Sequence, residues 1–302
     1  MMTRRAAIRL LGAPALLGAC QITTVQGDPS GADFGQAAFR GRFVWTHSSP
    51  NFGGFSGVHV AENGLDFWAL SDRGTLWQGR FLRGTDDRIT GIDVAQIHVL
   101  KDTDAAPLPL RRADAEGIAM GRDGTIFIAF EGGTQARVAA YATASGPARD
   151  LPLHSGFRTF PANQSLEALA IDPGGRLHTL PEAPQAGSFA VFRLDGGEWS
   201  VIGHVPQRGN FMVVGADFGP DGNFYLLERE FRHAFFSTRI SRIRPGNWAY
   251  PQTLLQTQRG QFDNHEGLSV TRSRDGRIRA TLISDDNFKW FQRTEILEFH
   301  LP

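Results

Sequence analysis

Five stretches of this chain repeat one plan, and a chain that repeats a two-strand unit folds as an array of those units. The stretches are "FSGVHVAENGLDFWALSDRG" (55–74), "AEGIAMGRDGTIFIAFEGG" (115–133), "LEALAIDPGGRLHTLPEA" (166–183), "VVGADFGPDGNFYLLERE" (213–230) and "HEGLSVTRSRDGRIRATLISDDN" (265–287). Each runs from a small or acidic residue through a short apolar strand, a Gly-rich turn and a second apolar strand to a polar exit, which reads as a hairpin. Their first residues lie roughly 50 to 60 positions apart, about one blade of a β-propeller. Segments between the repeats supply further strands: "ARVAAYA" (136–142), "FAVFRLD" (189–195), "TRISRIRP" (238–245) and the closing "TEILEFHLP". The expected fold is an all-β propeller. Five hairpins are visible, but the chain has room for six blades. The long interval after the first repeat, with "DVAQIHVL" (93–100), favours six over five.

The start of a hairpin's first strand lies beside the end of its second. Glu116 is therefore expected near Glu131, Glu167 near Glu182, and Glu266 near Asp285 and Asp286. In the first repeat Ser56 faces Asp72; in the fourth, Val214 and Gly215 face Glu228. Radial blades gather these corners into a carboxylate ring at one mouth of a central channel. Crowded carboxylates raise one another's pKa unless a cation sits among them. Calcium suits them as a hard ion taking 6–8 oxygen ligands at about 2.3–2.6 Å, with Asn264 or Asn287 able to complete a shell. Zinc suits them poorly, since no cysteine or close histidine pair accompanies the acids. Acids at strand ends also pair with arginines such as Arg73 and Arg229; the shared register favours a metal or substrate site.

Bases fall at the same corners: Arg73, Arg229, Arg232, His233, Lys289, Arg293 and, beside Glu266, His265. His265 is the candidate for proton transfer, and Arg73 and Arg229 are candidates for stabilising an oxyanion. Metal and arginine together suit ester hydrolysis, a phosphate ester in particular. A serine nucleophile is disfavoured. "GGFSGV" (53–58) has Val58 where the G-x-S-x-G elbow needs its final glycine, and it lies in a hairpin, not a strand-to-helix turn.

Residues 1–19 read as an export signal, with Arg4-Arg5 as a twin arginine and Leu17-Gly18-Ala19-Cys20 resembling a lipobox. The apolar stretch is shorter than the about 20 residues a membrane helix needs. Cys20 is then the lipidated residue and the membrane anchor, residues 20–38 a linker, and 39–302 the propeller, at the periplasm or cell envelope. Removing residues 1–19 deletes three arginines and no acids, so net charge falls from 0 to −3. No basic stripe appears, which argues against nucleic acid as a partner. Cys20 is the only cysteine, so stability comes from the core and not from an internal disulfide. A monomer acting on a small ester is expected.

"FSGVHVAENGLDFWALSDRG", "DAEGIAM", "SLEALAID" and "NHEGLSVTRSRDGRIRATLISDDNFKWFQRTEILEFHL" resemble the bacterial family labelled esterase-like activity of phytase, from about residue 40 onward. The resemblance implies a propeller with esterase or phosphoesterase activity. Propeller phytases hold calcium on acids at the channel mouth, and the matching candidates here are Asp72, Glu116, Glu167, Glu266, Asp285 and Asp286. Propellers host many functions, so two classes stand: a calcium-dependent hydrolase, or a non-catalytic, envelope-anchored propeller that binds a ligand or protein.

Overall fold

The structure is a computed structural model and describes residues 34–132 and 135–302. The signal, the twin arginine and Cys20 lie outside the described residues. Among the described residues the strands form five four-stranded sheets. Blade one is β2 (Phe55–Val60), β3 (Asp66–Ser71), β4 (Thr75–Arg83) and β5 (Ile89–Val99). Blade two is β6 (Ala115–Met120), β7 (Ile126–Phe130), β8 (Arg137–Tyr141) and β9 (Ala148–Asp150). Blade three is β10 (Leu166–Ile171), β11 (Leu177–Pro181), β12 (Ser188–Asp195) and β13 (Glu198–Pro206). Blade four is β14 (Met212–Phe218), β15 (Phe224–Arg232), β16 (Phe235–Ile243) and β17 (Gln252–Gln256). The fifth takes β18 (His265–Arg272), β19 (Ile278–Ser284) and β20 (Glu295–Leu301), with β1 (Ala38–Val44) as its outer strand.

The preference for six blades is thus corrected to five. "DVAQIHVL" belongs to β5, an 11-residue outer strand paired along the 9-residue β4. Those two long strands fill the interval that had been counted as room for another sheet. The ring closes because β1, from the start of the chain, pairs antiparallel with β20 at its end, Val44 opposite Glu295 and Ala38 opposite His300. The linker boundary also moves. Phe34 is buried, stacks on Phe262 with centroids 6.1 Å apart, and meets Phe299 edge-on at 5.4 Å.

Alternating strands present an apolar face to each side, and each blade packs its faces on both neighbours. Five hydrophobic clusters result, one per junction. Leu70 and Leu76 of blade one meet Ile118 and Ile128 of blade two. Ala129 and Val138 meet Leu169 and Trp199 of blade three. The next junction joins Leu180 and Val191 to Leu226 and Phe224, and another joins Leu227 and Ile240 to Leu268 and Leu282. The closing junction joins Phe43, Ile283 and Ile296 to Phe55 and Trp77. Each fully buried side chain of this size contributes about 1.5–3 kcal/mol before ordering entropy is subtracted. The inner strands β2, β6, β10, β14 and β18 are left side by side around the axis.

Candidate functional site

In every blade the ladder between the first two strands slips by one residue at the same place: Ser56, Glu116, Glu167, Val214 and Glu266. A bulge residue has no partner in the ladder, and the bulge re-aims its side chain. Ser56, Glu116, Glu167 and Glu266 line a cavity of about 10 Å³ on the axis, room for about one water-sized occupant. The glycine that follows the acid has a geometric cause. A Cβ at Gly117 would lie 2.6 Å from the carbonyl oxygen of Glu167, and one at Gly215 would lie 2.6 Å from that of Glu266. The residue after the bulge touches the next blade's backbone. Blade three accommodates Ala168 there.

A second tier stands just past the end of each second strand. The N–H groups of Asp72, Glu131, Glu182 and Asp285 donate to the carbonyls of Gly54, Asp114, Ser165 and Asn264, each at 2.8 Å. In blade four Met212 lies opposite Arg229, so the equivalent position holds an arginine. The register places Asp72, Glu131, Glu182, Arg229 and Asp285 around the mouth, above Glu116, Glu167 and Glu266.

Burial drives the pKa shifts, and mutual repulsion adds to it. The Asp72 carboxyl is pushed up to about 7 by burial and by Asp114 and Glu266, against the pull of Arg73. Burial, with Asp114, Glu182 and Glu266, takes Glu131 to about 7, although the Ser165 N–H donates to it at 2.8 Å. Asp285 rises to about 8 through burial and Glu266. Burial also holds Glu116 and Glu167 well above the carboxylate range, aided by each other's neighbourhood of acids.

Arg229 sits inside this ring. Its guanidinium donates to Glu266, to Glu182 at 2.9 Å and to the Asn264 side-chain oxygen at 2.7 Å. Burial alone would lower its pKa, but Glu266, Glu182 and Glu167 together outweigh that and raise it. It is a permanent cation that braces the carboxylates of blades three and five across the blade that lacks an acid.

The remaining predicted residues are placed differently. Glu228 does not reach the mouth. It is fully buried beside Arg229 on β15, and neighbours on a strand point to opposite faces. Its carboxylate is held by Arg239, by Arg208 at 2.8 Å and by the Ser241 hydroxyl at 2.5 Å. His265 also leaves the site. It is fully buried, 3.6 Å from Glu295, with both ring nitrogens lacking a hydrogen-bond partner among the described residues. Burial lowers its pKa to about 3, so the ring is neutral and the contact with Glu295 is no ion pair. Asp286 reaches the rim, but its oxygens accept from the Gly54 and Phe288 N–H groups and the Thr294 hydroxyl, all at 3.0 Å. Arg73 is exposed at the rim, with its guanidinium carbon 3.2 Å from the ring centre of Phe288, a cation–π contact. The Ser56 hydroxyl donates to the Ala115 carbonyl at 2.5 Å, which ties blade one to blade two.

Asp114, absent from the sequence reading of the site, is brought to it by the fold. Ligand oxygens of Asp114, Glu116 and Glu131 all lie within 4.8 Å of one another. Three carboxylates from one hairpin form a hard, all-oxygen donor set, which fits calcium far better than zinc. The signal was present in "DAEG": an acid two positions before the bulge sits beside the partner strand's exit. Arg229 was legible too. Fifteen residues separate Glu116 from Glu131 and Glu167 from Glu182, and the same step from Val214 reaches Arg229, not Glu228.

Among solved structures, the chain resembles a candidate exo-β-1,3-galactanase from Bifidobacterium bifidum, at 14% identity and TM-score 0.53, over 88% of this chain and 96% of that one. It also resembles a gluconolactonase from Xanthomonas campestris, at 15% identity and TM-score 0.50, over 96% and 98%. At such identities the likeness shows the fold alone. A search of curated proteins finds no match. Residues 50–288 match the phytase-like family described as "Esterase-like activity of phytase". With its five bulged hairpins and their acids lying inside the matched span, the chain belongs to that phytase-like family.

Proposed function

We propose that the acidic mouth binds calcium at Asp114, Glu116 and Glu131 and that the protein hydrolyses an ester there, phosphate esters being the first class to test. The observation that carries this reading is the close set of three carboxylates on blade two, with no arginine in salt-bridge contact among the described residues. The donor set fits a hard divalent ion, and the raised pKa values of Glu116 and Glu131 are what an uncompensated cation site produces. When bound, calcium supplies positive charge for the ester oxyanion and lowers the pKa of water nearby.

The chain's own groups supply the rest. The axial cavity is too small for a substrate, so the ester lies over the mouth, outside the channel. Asp72, with its pKa near 7, can hold or release a proton at the operating pH. Arg73 presents an exposed guanidinium at the same rim, suited to an anionic oxygen of the ester. Arg229 keeps Glu182 and Glu266 fixed and does not reach outward.

Calcium titration of the chelator-treated protein, followed by thermal unfolding, is the test. A ligand bound only by the folded state raises the midpoint as its concentration rises. The rise is expected in wild type and expected to vanish in Glu116→Gln combined with Glu131→Gln, together with turnover of aryl phosphate or carboxylate esters. A calcium-dependent rise without turnover of any ester would favour the binding propeller. No rise would remove the metal site.

A further inference from the structure

At the end of the propeller opposite the acids, blades three and four enclose a second cavity of about 320 Å³, within the range of small-molecule sites. Trp248, Phe218 and Ile202 are among its apolar lining residues, and Arg176, Arg193 and His178 among its polar ones. His178 meets Phe218 edge-on, with ring centres 5.0 Å apart, and lies 6.1 Å from Trp248. Its Nδ1 is 3.1 Å from the carbonyl oxygen of Arg176. A carbonyl only accepts, so Nδ1 carries the proton and Nε2 of the neutral ring is left as an acceptor. Burial holds the His178 pKa down at about 4, so the ring is neutral near pH 7.

The two arginines are unequally committed. Arg176 binds Asp172 through Nε and Nη2, both at 2.8 Å. Arg193 has an ion pair at 3.5 Å to the exposed Asp195, and its Nε is shielded from water without a hydrogen-bond partner among the described residues. Its planar fork matches a carboxylate. With Asp172 and Asp195 alongside, the guanidinium of Arg193, held only by a 3.5 Å pair to exposed Asp195, suits a single negative charge better than a phosphate dianion.

We propose that this cavity binds a small ring-bearing carboxylate, its anion on Arg193, its ring against Trp248 and Phe218, and a ring hydroxyl donating to Nε2 of His178. The site stands apart from the acidic mouth and does not depend on the activity assigned there.

The probe is 4-hydroxybenzoate, titrated calorimetrically into the protein. Saturable binding is expected, with phenol and inorganic phosphate at least about tenfold weaker. Arg193→Gln should weaken the probe about tenfold or more, and Arg193→Lys, which keeps the charge but loses the fork, should fall between. Arg193 is partly exposed, so both variants should fold, and their melting temperatures verify it; either one alone decides the question. Lack of saturable heat up to about 10 mM, unchanged affinity in the variants, or affinity lost instead in Glu116→Gln would overturn the assignment.

Discussion

The two sides of the mouth carry the same kind of residue in the same strand positions, yet they are electrostatically opposite. On the blade-four side, Glu182 and Glu266 share the guanidinium of Arg229. On the blade-two side, Asp114, Glu116 and Glu131 stand close together with no arginine in salt-bridge contact among the described residues. A buried carboxylate with a fixed cation is part of the frame. One without a cation either holds a proton or recruits a metal. Glu228 shows how far this goes: one residue away from Arg229, it is sealed between Arg239 and Arg208 and serves only the scaffold.

The sharpest way to break the comparison is to remove the internal cation. Arg229→Met leaves Glu182 and Glu266 without a cation, and uncompensated buried charge costs about 3–5 kcal/mol. Urea unfolding in chelator should show that loss at neutral pH. Calcium should restore more stability to this variant than to wild type, because a second uncompensated acid set then exists. Equal urea midpoints for variant and wild type would mean that the two sides do not differ as described.

Glu228→Gln tests whether its separation from the mouth is real. Loss of charge-assisted bonds to Arg239 and Arg208 should cost about 1.5–3 kcal/mol. The calcium-induced rise in unfolding midpoint should keep its full size. A diminished rise would return Glu228 to the ion's surroundings.

A third test is the pH profile of the metal-free protein. Asp72 and Glu131 titrate near 7 and Asp285 near 8 in the folded state, against about 4 for unfolded carboxylates. Between those values the folded state holds more protons than the unfolded one, so the slope of stability with pH is negative. Their contribution is fully present below about pH 4 and is lost as pH rises through 7 to 8. Unfolding midpoints measured in chelator should therefore fall from about pH 5 to about pH 8, and calcium should flatten the fall. A profile that rises with pH in chelator would contradict the uncompensated-acid description.

Much of this was legible in the chain. The strand alternation and turn glycines of the five repeats announce hairpins, because side-chain period and turn chemistry are local properties. The gathering of Glu116, Glu167 and Glu266 on one axis follows from repetition alone. Blade count was less legible. Outer strands such as β5 and β1 pair along one edge only and vary in length, so their pattern is weaker than that of the inner hairpins. His265 looked like a mouth residue because it precedes Glu266 in sequence. On a strand that adjacency means the opposite face, and the bulge aims the glutamate alone toward the axis.

The repeating hairpin, and the acid at its leading edge in three of the five, can be read from the chain, since each is written within about 20 consecutive residues; the family resemblance rests on several such stretches taken together. Which acids meet which cations depends on how the blades close. Arg229 reaches Glu182 and Glu266 in two other blades, whereas Asp114, Glu116 and Glu131 meet within one. Charge compensation in a buried ring depends on distances of a few ångströms between segments far apart in sequence, and closing the five blades sets those distances.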